Sequence, residues 1–250
     1  MIALRAAAKL TWYLEITERR DDGYHNLRSE MVTIDLADIL VVDETADYLR
    51  VFNPFLSVVS DDQTNLVARA LRLVGRRAGI TIEKSIPVGG GLGGGSADAG
   101  AVLRWAGGVS PGEALHLGGD VPFCQLGGRA LVEGVGEQLT ALDFEPRTLT
   151  LILPDFGVNT VDCYRAYDEL RSGGWKPEGR NHLEAAAKLV EPRLARTLDW
   201  LRAELGSEVH LAGSGSTMFV EGVHDPSHQE MAGPDGPLRF LPTITTPAPG

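Results

Sequence analysis

The chain has 250 residues, 43% of them apolar, a formal net charge of −11 and only two cysteines, Cys124 and Cys163. That length accommodates one large domain or two of ordinary size with a real core, while the acidic balance excludes a broad basic face for nucleic acid, so any anionic ligand must be held locally. Two cysteines are too few for a disulfide framework and predict buried thiols in a reducing, cytoplasmic setting.

The fairly apolar start is broken by Arg5 and Lys9. No apolar run of about 18 residues follows, so neither a signal peptide nor a membrane span is expected. Of the six histidines, only His224 and His228 stand at metal-like spacing, and their proline-interrupted tail reads as solvated surface.

Alternation in Leu10–Ile16 predicts a strand, Arg20-Asp21-Asp22-Gly23 a turn, and Met31–Leu36, Asp38–Asp43 and Tyr48–Phe52 three further strands. Asn65–Val74 has helical spacing after a polar entry, and Ile80–Ile86 reads as a strand stopped by Pro87. Six glycines then fall between Gly89 and Gly95, interrupted only by Leu92, and a helix is expected from Ser96 to Gly107-Gly108. A glycine run between a strand and a helix is a phosphate-binding proposal: its peptide N–H groups can turn into one concavity, and the helix start adds unpaired N–H groups and a positive dipole end. A flexible linker is the bland alternative, and Leu92 and the immediate helix oppose it.

Leu117–Phe123 reads as a turn, Arg129–Glu133 and Thr148–Pro154 as strands, and a boundary between two halves is expected near residue 145. Helices are predicted at Thr160–Leu170, Asn181–Leu189 and Arg193–Leu205, then the loop Gly213-Ser214-Gly215-Ser216 and a strand at Thr217–Val220. The remainder is rich in proline and glycine and gives no clear element.

Three motifs compete for the glycine run. Gly89-x-Gly91-x-x-Gly94 matches a dinucleotide fingerprint, but Ser110-Pro111-Gly112 stands where a second parallel strand belongs. A P-loop needs a lysine after the run, where Ser96 stands. Asp155-Phe156-Gly157 spells a protein-kinase metal motif without its catalytic loop and is expected to be a strand-end turn.

Four separated segments, Ala8-Lys9-Leu10, Arg20–Leu27, Ile86–Ala99 and Leu117–Phe123, together resemble the GHMP kinase superfamily. Within it, Asp22-Gly23-Tyr24-His25, Val158-Asn159-Thr160 with Tyr164, and Gly213–Ser216 resemble the branch whose substrate is a cytidine-diphosphate-linked sugar alcohol of isoprenoid synthesis. The resemblance implies an α+β fold with an N-terminal ATP-binding domain over 1–145, a C-terminal domain over 146–250 and the active site between them.

It also implies ATP and Mg2+ as cofactors. The ATP loop would be Pro87, Val88, Gly89, Gly90, Gly91, Leu92, Gly93, Gly94, Gly95, Ser96 and Ala97, with Asn65 near adenine. Ser96 and Asn65 have alternative roles as helix N-caps, and Asp98 suits the first helical turn, a structural assignment. Asp120 would be the general base and Lys9 the cation that stabilises the developing alkoxide. Tyr24 and Tyr164 would stack on the two faces of cytosine, His25 would meet its edge and Thr160 the diphosphate. The metal ligands are not assigned. No nucleic-acid or membrane partner is expected, and the chain is a monomer or homodimer.

Thr11 departs from the family pattern, which has asparagine two places after the lysine; the 107–118 connection and the end of the chain are short. A homoserine or mevalonate kinase, whose acceptor has no base to stack, and a catalytically silent nucleotide-binding module remain as alternatives.

Overall fold

The computed structural model describes residues 1–54, 59–205, 208–224 and 230–249. The first half is built on β1 (Ile2–Arg19) and β2 (His25–Asp43), a long antiparallel pair. There follow β3 (Tyr48–Phe52), α1 (Leu66–Leu73), β4 (Gly79–Glu83), α2 (Gly94–Trp105), α3 (Pro111–Leu115), α4 (Val121–Leu126), β5 (Arg129–Gly134) and β6 (Gln138–Ala141). One edge of β2 carries β1, and the other pairs with β4 along Ile39–Asp43 and with β5 along Leu27–Val32.

The two strands expected at 31–36 and 38–43 are thus one. Asp38 looks like an interruption in the sequence, yet it is fully buried inside β2, where Lys84 neutralises it. The core alternates as a half-buried sheet requires: Ala6, Ala8 and Leu10 of β1, Ile34, Leu40 and Val42 of β2, and Ile80 and Ile82 of β4 share one buried cluster with residues of α2 and α4. Gly100 lets those two helices touch, since a Cβ there would stand 2.6 Å from the Cys124 carbonyl carbon. Both cysteines are buried and free.

The second half contains β7 (Thr148–Pro154), α5 (Thr160–Ser172), α6 (Glu184–Val190), α7 (Pro192–Leu205), β8 (His210–Leu211), β9 (Met218–Glu221), β10 (Glu230–Gly233) and β11 (Gly236–Ile244). Its sheet runs β10-β11-β7-β9-β8. Neither β10 nor β11 was expected, because Pro237 and Pro242 argue against a strand, yet β11 pairs with β7 from Leu238 to Ile244.

The halves are sewn together by β1 and by the chain's end. Leu14 and Ile16 of β1 enter the second core, and Leu14 N donates to Arg180 O at 3.0 Å. Beside them two guanidiniums lie over the Trp12 ring, Arg147 at 3.9 Å and Arg180 at 4.3 Å from its centroid. Beyond β11, Thr246 N donates to Thr33 O at 2.8 Å, while Thr243 Oγ1 and Ile244 N both donate to Asp35 Oδ1. No helix among the described residues is long and apolar enough to cross a membrane.

Candidate active site

The glycine run joins β4 to α2, and α2 begins at Gly94, two residues earlier than the sequence suggested. Gly93 is the N-cap, in the left-handed region at φ 69°, so the capping role considered for Ser96 falls to glycine, and Ser96 is the third helical residue. Gly91 (φ 77°) and Gly93 both need the absence of a side chain: a Cβ would meet Gly215 O at 2.7 Å or Lys9 Cγ at 2.9 Å. Peptides turned this way can present N–H groups to an anion, and the first turn of a helix such as α2 adds further unpaired N–H groups.

A cavity of about 430 Å³ lies over the loop, lined by Pro87, Val88, Gly89 to Gly95, Ser96, Asn65 and Lys84. Asn65 is the N-cap of α1, its Oδ1 accepting from Val67 N at 2.8 Å. Ala97 is buried on the core side of α2.

Lys84 and two carboxylates lie beneath the loop. Lys84 Nζ donates to Asp98 Oδ2 at 2.8 Å and also pairs with Asp38, whose Oδ1 accepts from Ile86 N at 2.8 Å. Asp98 is therefore a buried partner of Lys84 in the second turn of α2, not a residue of its first turn. Burial above all, reinforced by Asp38 and opposed by Lys84, pushes its carboxyl up to about 7.

Lys9 lies just past a register shift in β1, the kind of irregularity that re-aims a side chain. It is buried, with Nζ 3.3 Å from Asp120 Oδ2 and donating to Thr11 Oγ1 at 3.2 Å. Asp120 stands at the N-terminus of α4, a helix the sequence reading took for a turn, and its carboxylate makes no capping bond. That leaves the carboxylate for Lys9.

A second cavity, of about 560 Å³, opens on the other side of Asp120 and is lined by Tyr24, His25, Ser96, Asp120, Thr160, Tyr164 and Asp168. Ser96 borders both cavities. The His25 ring is buried, stacked on Tyr164 at 5.0 Å and 29°, with Nε2 2.7 Å from Asp168 Oδ1. Tyr24 is 67% exposed at the rim. Burial, helped by the Asp120 charge, raises the Tyr164 hydroxyl above its ordinary value. Thr160 opens α5 and shares a hydrogen bond with Ser214 at 3.0 Å, Oγ to Oγ.

Residues 65–128 match the family model described as the GHMP kinases N terminal domain. The "4-diphosphocytidyl-2-C-methyl-D-erythritol kinase" of Paracoccus denitrificans (strain Pd 1222) is 38% identical over 231 residues, which cover 86% of this chain and 84% of that protein. The chain belongs to the 4-diphosphocytidyl-2-C-methyl-D-erythritol kinase family.

A crystal structure of a 4-(cytidine 5'-diphospho)-2C-methyl-D-erythritol kinase superposes with a TM-score of 0.72 at 31% identity, covering 100% of both chains. A putative homoserine kinase of Listeria monocytogenes shares the fold at a TM-score of 0.58, covering 99% of this chain and 98% of its own, with 16% identity. Likeness to the 4-diphosphocytidyl-2-C-methyl-D-erythritol kinases therefore extends through both halves, and the α+β GHMP kinase fold expected from the sequence is the one observed.

Around the site of this kinase family member, the sequence reading missed several residues. Lys84 continues the period-two buried face of Ile80 and Ile82, a signal present but unused. Asp168 and Arg19, which meet at 3.0 Å, gave none, since both read as ordinary surface charges. Among the described residues no group of three or more His, Cys, Asp or Glu side chains is arranged to hold a metal ion. His224 N donates to Thr150 Oγ1, and His228 lies outside the described residues.

Proposed function

We propose that this chain transfers the γ-phosphoryl group of ATP to the 2-hydroxyl of 4-diphosphocytidyl-2-C-methyl-D-erythritol, a step of the non-mevalonate route to isoprenoids. The observation that carries the reading is the Lys9–Asp120 contact at 3.3 Å, held where the glycine loop and the second cavity meet.

The loop suits a nucleoside triphosphate, because Gly91 and Gly93 hold positive-φ backbone where a Cβ would collide, and peptide N–H groups in such a run can turn towards phosphate. ATP, with its Mg2+, supplies the phosphoryl group and neutralises charge on the phosphate oxygens. Gly89 to Ser96 would hold those phosphates, with the Ser96 hydroxyl available to a phosphate oxygen or the ion. Asp120 would take the proton from the acceptor hydroxyl, and Lys9, buried beside it, would stabilise the oxygen as it becomes an alkoxide. Holding the acceptor in line supplies much of the remaining acceleration.

Tyr24 and Tyr164 would bracket cytosine, with His25 at its edge and Thr160 at the diphosphate, and Asn65 would border adenine. Thr11, which accepts from Lys9, would stand in for the family's asparagine. Sheet membership changes between Ala141 and Thr148, which supports domains of 1–145 and 146–250. A cytoplasmic monomer or homodimer without nucleic-acid or membrane partners fits the acidic charge and the two buried thiols.

The test is incubation with ATP and Mg2+ and a panel of acceptors, including homoserine and mevalonate. ADP release with the cytidylylated sugar alcohol alone supports the reading. Release with a smaller acceptor instead favours that kinase, and nucleotide binding without transfer favours a silent module.

A further inference from the structure

His25 has two ring nitrogens, and the fold has chosen a partner for one of them. Nε2 stands 2.7 Å from Asp168 Oδ1. The other carboxylate oxygen, Oδ2, is 3.0 Å from Arg19 Nε. The imidazole cannot easily turn away, because Tyr164 stacks on its face and the edge of Tyr167 meets it at 6.0 Å and 89°. Nδ1 has no hydrogen-bond partner among the described residues, and it is not among their fully enclosed unpartnered polar atoms. The residue lines the second cavity.

An ionised carboxylate only accepts hydrogen bonds, so a neutral imidazole beside Asp168 keeps its proton on Nε2 and exposes a lone pair at Nδ1. Cytosine carries an exocyclic amine, a donor; uracil carries a carbonyl oxygen at the same position, an acceptor. A lone pair at Nδ1 matches the first and opposes the second.

We propose that Asp168, held by Arg19, is a positioning residue that fixes the His25 tautomer and thereby makes the acceptor pocket select cytosine over uracil. This rests on the function proposed above. Asp168 does not touch the reacting atoms, so its effect should fall on recognition of the base. A site whose hydrogen-bond sense is fixed rejects the wrong group because a buried polar atom is left unpaired.

Asp168→Asn discriminates sharply between fixed tautomer and mere packing. Arg19 will hold the amide oxygen on its own side, turning the NH2 group towards Nε2. That donor forces the proton onto Nδ1 and reverses the hydrogen-bond sense presented to the base. Asp168→Ala removes the constraint without reversing it, and the residue's partly exposed place on α5 makes both variants compatible with folding.

The experiment measures kcat and KM for the cytidine-diphosphate-linked acceptor and its uridine counterpart with the wild type and both variants. It also records the 15N resonances of the His25 ring near neutral pH. The wild type is expected to prefer the cytidine compound and to show a protonated Nε2 and an unprotonated Nδ1. Asp168→Asn should lower the ratio of the two kcat/KM values by about tenfold or more, mainly through KM, with a smaller drop in Asp168→Ala. A wild type carrying the proton on Nδ1, or an unchanged ratio in both active variants, overturns the proposal while leaving the kinase reading intact. A wild type that uses neither acceptor overturns the kinase reading and this proposal with it.

Discussion

Lys84 holds two buried carboxylates with a single ammonium, which leaves excess negative charge directly beneath a loop suited to phosphate. The strain is relieved by protonation of Asp98, whose folded value of about 7 lies above the ordinary 3.8. Between those values the folded chain keeps a proton that the unfolded chain has released. This group's contribution to stability is therefore greatest below the ordinary value and declines as pH rises towards the folded one. Urea midpoints taken at about pH 5 and about pH 8 should fall more in the wild type than in Asp98→Asn, where this linkage is absent. Equal slopes in the two proteins would remove Asp98 from the pH dependence. Lys84→Met is expected to cost about 3–5 kcal/mol, since it strands two carboxylates without a cation. If Lys9 and Asp120 act as proposed, Asp120→Asn and Lys9→Ala should each lower turnover at least about a hundredfold in folded protein, read by coupled ADP release. Near-native turnover in Asp120→Asn would sink the base assignment.

The strands and helices differ in how well their sequences announced them. The glycine loop with its flanking β4 and α2 was legible because glycine, proline and apolar period all change within a few residues. α4 was not, since Gly118-Gly119 and Pro122 signal a turn, and the helix has only six residues. β6 has four residues, mostly exposed, and offers little pattern to read. β11 was hidden by its prolines, although Leu238 and Phe240 are buried and alternate as a strand demands. Its importance is testable through Asp35, which ties it back to β2. Asp35→Ala should lower stability by about 1–2 kcal/mol in urea titration, the scale of two modest hydrogen bonds. No change would mean that backbone pairing alone holds the last strand.

For the whole molecule, residues far apart in sequence converge on the site: Lys9 from β1, Asp120 from α4, and Gly213 from the second half, where a Cβ would lie 3.3 Å from Thr11 Oγ1. The sequence displayed these parts as four or five islands, and only their joint resemblance to known kinases linked them, because no local pattern encodes a contact across a cleft. The pairing of Asp168 with His25, separated by 143 positions, is of that kind. Shared strands should also make the halves unfold together. β1 supplies Leu10 to one core and Leu14 to the other. Calorimetry should therefore show one transition, with equal van't Hoff and calorimetric enthalpies. Two resolved transitions would show that the seam is weaker than its contacts suggest. That seam also carries its own optical gauge. Trp12 is one of only four tryptophans, and two cations from the second half, Arg147 and Arg180, stack on its indole. Replacing Trp105, Trp175 and Trp200 with phenylalanine would leave a single fluorophore whose emission tracks any hinge-like opening as nucleotide and acceptor arrive.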